Sequence, residues 1–194
     1  MRLWIKDPVA ILAPGAERGV VVEEAKIVEC VGRGQSPAAP WDATFNASRH
    51  VVLPGLVNAH HHFYQTLTRA HPDGFGKELI PWLVAMEHVW GRMTPEALRI
   101  AVRMALVELL LSGCTTAADH HNLFPPGLEN AIDIEVEEAT KLGLRMTVTR
   151  GSMGISEKDG GLQPDAIVQD SDTILEDSER VLRLFHDPNP GAMI

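Results

Sequence analysis

"LPGLVNAHHHFYQ", Leu53 to Gln65, runs an apolar segment into three consecutive histidines. On an extended strand, residues two apart share a face, so His60 and His62 can converge on one ion while His61 points the other way. Neutral imidazole is a good ligand for zinc, iron or nickel. Two ligands are part of a site, because catalytic zinc takes three protein ligands and a water. The residues alone leave a second reading open, in which the histidines are hydrogen-bonded residues at a strand end.

Upstream, short strands predominate. "RLWIK" (2–6) alternates, and "GVVVEEAKIVECVG" (19–32) reads as two apolar runs joined by a polar turn at Glu24 and Ala25. "PAAP" (37–40) breaks the pattern before "ATFNA" (43–47) and "HVVLPGLVNAH" (50–60) resume it. Downstream, strands alternate with helices. "TPEALRIAVRMALVELLLSG" (94–113) starts with Thr94 as N-cap, Pro95 and Glu96, and Gly113 is placed to close it in a left-handed conformation. "CTTAAD" (114–119) is a strand, "LENAIDIEVEEATKLG" (128–143) a helix ending at Gly143, and "LRMTVTRG" (144–151) a strand. The helix "DSDTILEDSERVLRLFHD" (170–187) then leads to "PNPGAMI" (188–194), the start of a fourth strand.

This order predicts an α/β fold: a small β segment over 1–52, then βα units with a parallel sheet over 53–194. Right-handed crossovers put all strand C-termini on one face. "NAHHHFYQ", "DHHN" and "RGSMG" therefore gather there, with long loops expected over 63–92 and 150–169.

Composition narrows the partners. The 194 residues are 45% hydrophobic and 22% charged, with a net charge of -9, which argues against nucleic acid. No run reaches the ~20 apolar residues of a membrane span, and the N-terminus lacks an apolar signal region. Cys30 and Cys114 are far apart and suggest no disulfide framework, which fits a reducing cytoplasm. No H-E-x-x-H, no H-x-E with P-C-x-x-C, no Gly-rich phosphate loop and no G-x-S-x-G occurs.

"VVLPGLVNAHHHFYQTLTR" resembles the first barrel strand of the amidohydrolase superfamily, with its P-G-hydrophobic-hydrophobic-(N/D)-x-H-x-H signature. "TTAADHHNLFP" and the stretch from Gly151 to Asp187 are similar to the branch of 8-oxoguanine deaminase and hydroxydechloroatrazine ethylaminohydrolase. The resemblance implies the N-terminal part of a metal-dependent (β/α)8 TIM-like barrel preceded by a portion of a small β-sandwich. It implies that His60 and His62 are ligands of one divalent ion, zinc first, and that Gln65 contacts a heterocyclic substrate. His120 and His121 are expected to support the ligands, and Asp119 to orient a neighbour by hydrogen bonding. The implied reaction is hydrolytic deamination of an aminated purine-like ring, 8-oxoguanine to urate and ammonia first, with hydroxylated triazines and guanine as alternatives. A full-length homodimer is also implied.

Other residues carry plainer expectations. Trp82 and Trp90 are read as loop anchors, Arg150 and Ser152 as reaching toward substrate, "EVEEATK" (135–141) as a solvated helix face, and Met104 with Leu106 to Leu111 as core. Glu24-Ala25-Lys26 stands where related proteins often have a glycine-containing turn. A whole barrel takes ~250 residues. The family's third histidine ligand, catalytic glutamate and metal-binding aspartate come from later strands. The sequence is therefore expected to be a fragment that needs its C-terminal half, with the catalytic residues lying there.

Overall fold

The computed structural model describes residues 1–188, so the expected fourth strand beyond Pro188 lies outside the described residues. The chain forms two compact units, Met1–Gly55 and the residues from Leu56 onward.

In the first unit, β1 (Arg2–Lys6), β3 (Gly19–Glu23), β4 (Lys26–Cys30) and β5 (Ala43–Asn46) form one sheet in the order β4-β3-β1-β5. β1 pairs antiparallel with β3 and parallel with β5. β2 (Ala10–Ile11) and β6 (Val51–Val52) form a separate parallel pair. Trp4, Val21 and Val31 make the core, and the Trp4 indole N–H donates to the Arg18 carbonyl at 3.1 Å. The β3–β4 hairpin turns on Glu24 at φ 54°, a left-handed conformation that glycine adopts without steric cost.

In the second unit, β7 (Leu56–His61), β8 (Cys114–His121) and β9 (Arg145–Arg150) form a parallel sheet in chain order. α1 (Leu79–Trp90), α2 (Pro95–Leu111), α3 (Ala131–Leu142) and α4 (Ser171–Phe185) supply the helices. α2 begins as its sequence dictates: the Thr94 side chain accepts from the Ala97 N–H at 3.2 Å, with Pro95 at the first position. Gly113 (φ 85°) and Gly143 (φ 75°) close α2 and α3 in the left-handed region. Gly151, after β9, approaches β8 so closely that a Cβ would sit 2.8 Å from the His121 carbonyl oxygen.

Several expectations change. The stretch 63–92 is structured as two 3-10 helices (Phe63–Thr68 and Pro72–Gly74) and α1. α1, "LIPWLVAMEHVW", is apolar almost all round, so it carries little of the periodic signal that marks a surface helix. Trp90 does anchor it: its indole donates to Thr68 Oγ1 at 2.9 Å, and its ring stands edge-on to Tyr64 and Trp82, each at 5.3 Å. The stretch 150–169 holds two further 3-10 turns and a bridge between Ser156 and Gln163.

The acidic run is not a solvated face. Glu135 and Glu138 are buried, and only Glu137 among the three glutamates is exposed. Nor is the α2 apolar run uniformly core: Leu98, Val102, Ala105 and Leu106 are buried, whereas Met104, Val107 and Leu111 are exposed. A helix buries one stripe, whatever the total of its apolar residues.

Candidate metal centre

The site begins with alternation at the ends of β7 and β8. Along β8, Ala117, Asp119 and His121 are buried, and Ala118 and His120 between them are half-buried. His60, His62 and His120 gather on one side. Their ring centres are 5.0 Å apart for His60–His62, 4.6 Å for His60–His120 and 6.0 Å for His62–His120. His61 is not part of this group, although it lines the same depression: it pairs in register with Asp119, and its ring lies 4.9 Å from Phe63.

His62 is held in one tautomer. Its Nδ1–H donates to the backbone oxygen of His120 at 2.6 Å, which leaves Nε2 with a free lone pair. Burial, with His60 and His120 nearby, lowers the His62 pKa and keeps the ring neutral, although the bond to the His120 carbonyl acts in the opposite direction. A neutral imidazole fixed through Nδ1 by a carbonyl is the form in which histidine binds metal. These residues therefore fit a divalent ion. Gln65 lines an open depression together with His60, His61, His62, Thr66 and Arg69. Its Nε2 donates to the Tyr64 hydroxyl at 3.3 Å.

Behind this face lies a second group. Asp119, His121 and Glu135 are fully buried or nearly so, and one ligand-type atom from each lies within 4.8 Å of the others. His121 uses both nitrogens: Nε2–H donates to the Leu123 carbonyl and Nδ1 meets Glu135 Oε1, each at 2.6 Å. Burial pushes the Glu135 carboxyl up to about 8 and the His121 imidazolium down, so the contact joins a protonated carboxyl to a neutral ring. Asp119, also raised by burial and by Glu135, accepts the Phe63 N–H on Oδ1 at 2.6 Å. Its Oδ2, like Glu135 Oε2, has no hydrogen-bond partner.

The structure thus divides the two histidines expected to support the ligands. His120 joins His60 and His62, and His121 joins the buried carboxyls. Arg150, read as reaching toward substrate, is committed elsewhere. Its guanidinium donates to Asp177 (2.9 Å), Gln169 (2.6 Å) and the Gly151 carbonyl (2.7 Å), over the Phe124 ring. Glu135 was missed. Its signal was its phase: Ala131, Glu135, Glu138 and Leu142 fall on one helical stripe, so a buried position at 135 was readable beneath the acidic composition.

Comparison with known proteins follows the same lines. A model of the amidohydrolase family matches residues 51–193. The chain is 55% identical to 8-oxoguanine deaminase of Pseudomonas aeruginosa, over 100% of this chain and 44% of that protein. It is 36% identical to hydroxydechloroatrazine ethylaminohydrolase of Pseudomonas sp. strain ADP, over 73% of this chain and 30% of that one. Atrazine chlorohydrolase TrzN from Arthrobacter aurescens TC1, solved in complex with zinc, superposes with a TM-score of 0.83 and 27% identity, covering 98% of this chain and 45% of that one. The chain spans less than half the length of these relatives.

Proposed function

The chain belongs to the amidohydrolase family, and from that premise we propose that it is the opening part of a metal-dependent (β/α)8 barrel that deaminates an aminated purine-like heterocycle. Residues 1–52 are its portion of a small β-sandwich, and 53–194 its first three βα units. 8-Oxoguanine, yielding urate and ammonia, is the substrate of choice, supported by the identity to the Pseudomonas deaminase. Hydroxylated triazines are the second reading, supported by the likeness to the ethylaminohydrolase.

One observation carries the proposal. At the C-terminal end of a parallel sheet, His62 is fixed by the His120 carbonyl with Nε2 free, beside His60. His60 and His62 are the residues that hold the ion, zinc by preference. When bound, a divalent ion supplies a water acidified toward pKa ~7, a nucleophile for the amino-bearing ring carbon. His120 holds the His62 ring through its carbonyl. Gln65, in the same depression, offers an amide to the polar edge of the heterocycle. The remaining ligands and the proton-transfer groups are assigned to the rest of the barrel, and the full-length enzyme to the cytoplasm as a homodimer.

The test is metal content per chain in protein purified without added metal, beside a His60→Ala/His62→Ala variant. We expect metal in the full-length wild type and its loss in the full-length variant, whereas negligible metal in the 194-residue chain would mean that it carries half a site. Full-length protein should release ammonia from 8-oxoguanine faster than from hydroxylated triazines or guanine. Retained metal with no ammonia from any of them overturns the substrate assignment.

A further inference from the structure

The buried group behind the histidines holds the chain just after the ligand strand through a side-chain hydrogen bond to the N–H of Phe63, the residue after His62. This amide donates to Asp119 Oδ1 in a buried bond of 2.6 Å. Asp119 is backed in turn by the helix layer: Glu135, on α3, approaches it and contacts His121 Nδ1, while His121 Nε2–H is anchored on the Leu123 carbonyl. The chain of contacts therefore runs from α3, through alternate residues of β8, to the backbone leaving β7.

The alternation makes this geometry informative. His120, between Asp119 and His121, presents its carbonyl to His62 Nδ1 at 2.6 Å. One residue of β8 thus fixes the His62 ring, and the residue before it fixes the backbone on which that ring is carried. A ring is aimed only when both are held. A 3-10 helix starts at Phe63, directly after His62, where the capping position has no side-chain cap of its own. The Phe63 N–H is an unpaired donor of that first turn, and Asp119 takes it.

We propose that Asp119, braced by Glu135 and His121, is a positioning residue that locks the backbone after His62 and so keeps the His62 ring in its Nδ1–H tautomer with Nε2 free to bind a metal ion. The proposal rests on the reading of His62 as a ligand. It assigns the buried group to hydrogen bonding, although its atoms are also close enough to hold a second cation. Both nitrogens of His121 are already engaged, which disfavours ligation there. Residues that orient a ligand in this way alter metal affinity by roughly 10–100-fold when removed.

The experiment uses the full-length protein in four forms: wild type, Asp119→Asn, Asp119→Ala and Glu135→Leu. Asparagine keeps an acceptor oxygen for the Phe63 amide, and alanine does not. Two readouts are independent of catalysis. Nitrogen-15 spectra of the imidazoles report the His62 tautomer in metal-free protein, and competition with a chelator reports Co(II) affinity. We expect a single Nδ1–H tautomer in wild type and Asp119→Asn, and mixed tautomers in Asp119→Ala. Affinity should fall roughly 10–100-fold in Asp119→Ala and stay within about threefold in Asp119→Asn. If Asp119→Ala does not fold, Glu135→Leu removes the brace from the other end and should shift the tautomer in the same direction. Should wild type bind no Co(II), the ligand reading fails, and the tautomer spectra still decide whether Asp119 positions His62. An unchanged His62 signal in both Asp119→Ala and Glu135→Leu overturns the proposal. So does a second equivalent of Co(II) that disappears in Glu135→Leu while the first remains.

Discussion

Residue types and spacing made the surface half of the site legible. His60 and His62 lie on one side of a strand end because alternation is a property of any strand. The buried half was less legible, because composition labels a glutamate as solvated, whereas helical phase decides whether it is buried. Glu87, on α1, is a further case: it is 2% exposed, and burial alone lifts its carboxyl to about 7. Its folded pKa thus stands above the unfolded value of 4.5. Between those values the unfolded chain has lost a proton that the folded chain keeps, so this contribution is fully present below about pH 4.5 and is lost as pH rises through about 7. The upper bound on the effect is about 3–4 kcal/mol, at about 1.4 kcal/mol per unit. Glu87→Gln should flatten the fall in stability between these pH values, measured by urea denaturation at several pH values. Glu135 and Asp119, raised in the same sense, leave a residual slope. A variant whose pH dependence matches wild type would show that Glu87 titrates normally.

Among the elements, those with explicit punctuation were readable. Thr94-Pro95 and Gly113 bracket α2, and Gly143 ends α3, because caps answer to unpaired backbone groups at helix ends. α1 was hidden by uniform apolarity and by a proline in its first turn, which a loop also tolerates. The seam between α2 and α3 shows what pairing adds to phase. Glu138, buried on α3, accepts from Arg99 (2.6 Å) and Arg103 (2.8 Å) of α2 and from Lys141 (3.2 Å). Arg103 first, opposed by burial and helped by Arg99 and Lys141, brings its carboxyl down to about 2. Its stabilising contribution is therefore present above the ordinary glutamate pKa and is lost only as pH falls toward about 2. Glu138→Gln at pH 7 should cost about 1–3 kcal/mol, since it leaves two arginines of the seam without their buried counter-charge. Glu137→Gln, at an exposed carboxylate that also pairs with Arg99 (2.7 Å) and Lys141 (2.6 Å), should cost no more than about 0.5 kcal/mol. Thermal melts of the two variants check the contrast, and equal losses would remove burial of the carboxylate as its cause.

At the scale of the molecule, strand order and direction followed from the alternation of strands with helices. What pairs the outer edges of the sheet did not. Among the described residues, β7 and β9 are each paired on one side only. β7 carries exposed Leu56 and Val57, and α4 carries exposed Leu175, Leu182 and Leu184. α4 packs Val181 and Phe185 against the core and is tied by ion pairs, with Asp177 accepting from Arg150 at 2.9 Å and Asp133 from Arg180 at 2.6 Å. Sheet edges with unpaired backbone groups and exposed apolar side chains recruit other chains. The 194-residue polypeptide, expressed as it stands, should therefore sediment with a mass that rises with concentration and should bind a hydrophobic dye. Extension to the length of its relatives should suppress both, because in a closed barrel each strand is paired on both sides. A monomer at every concentration, unfolding in one cooperative step without dye binding, would mean that the three strands and their helices satisfy themselves.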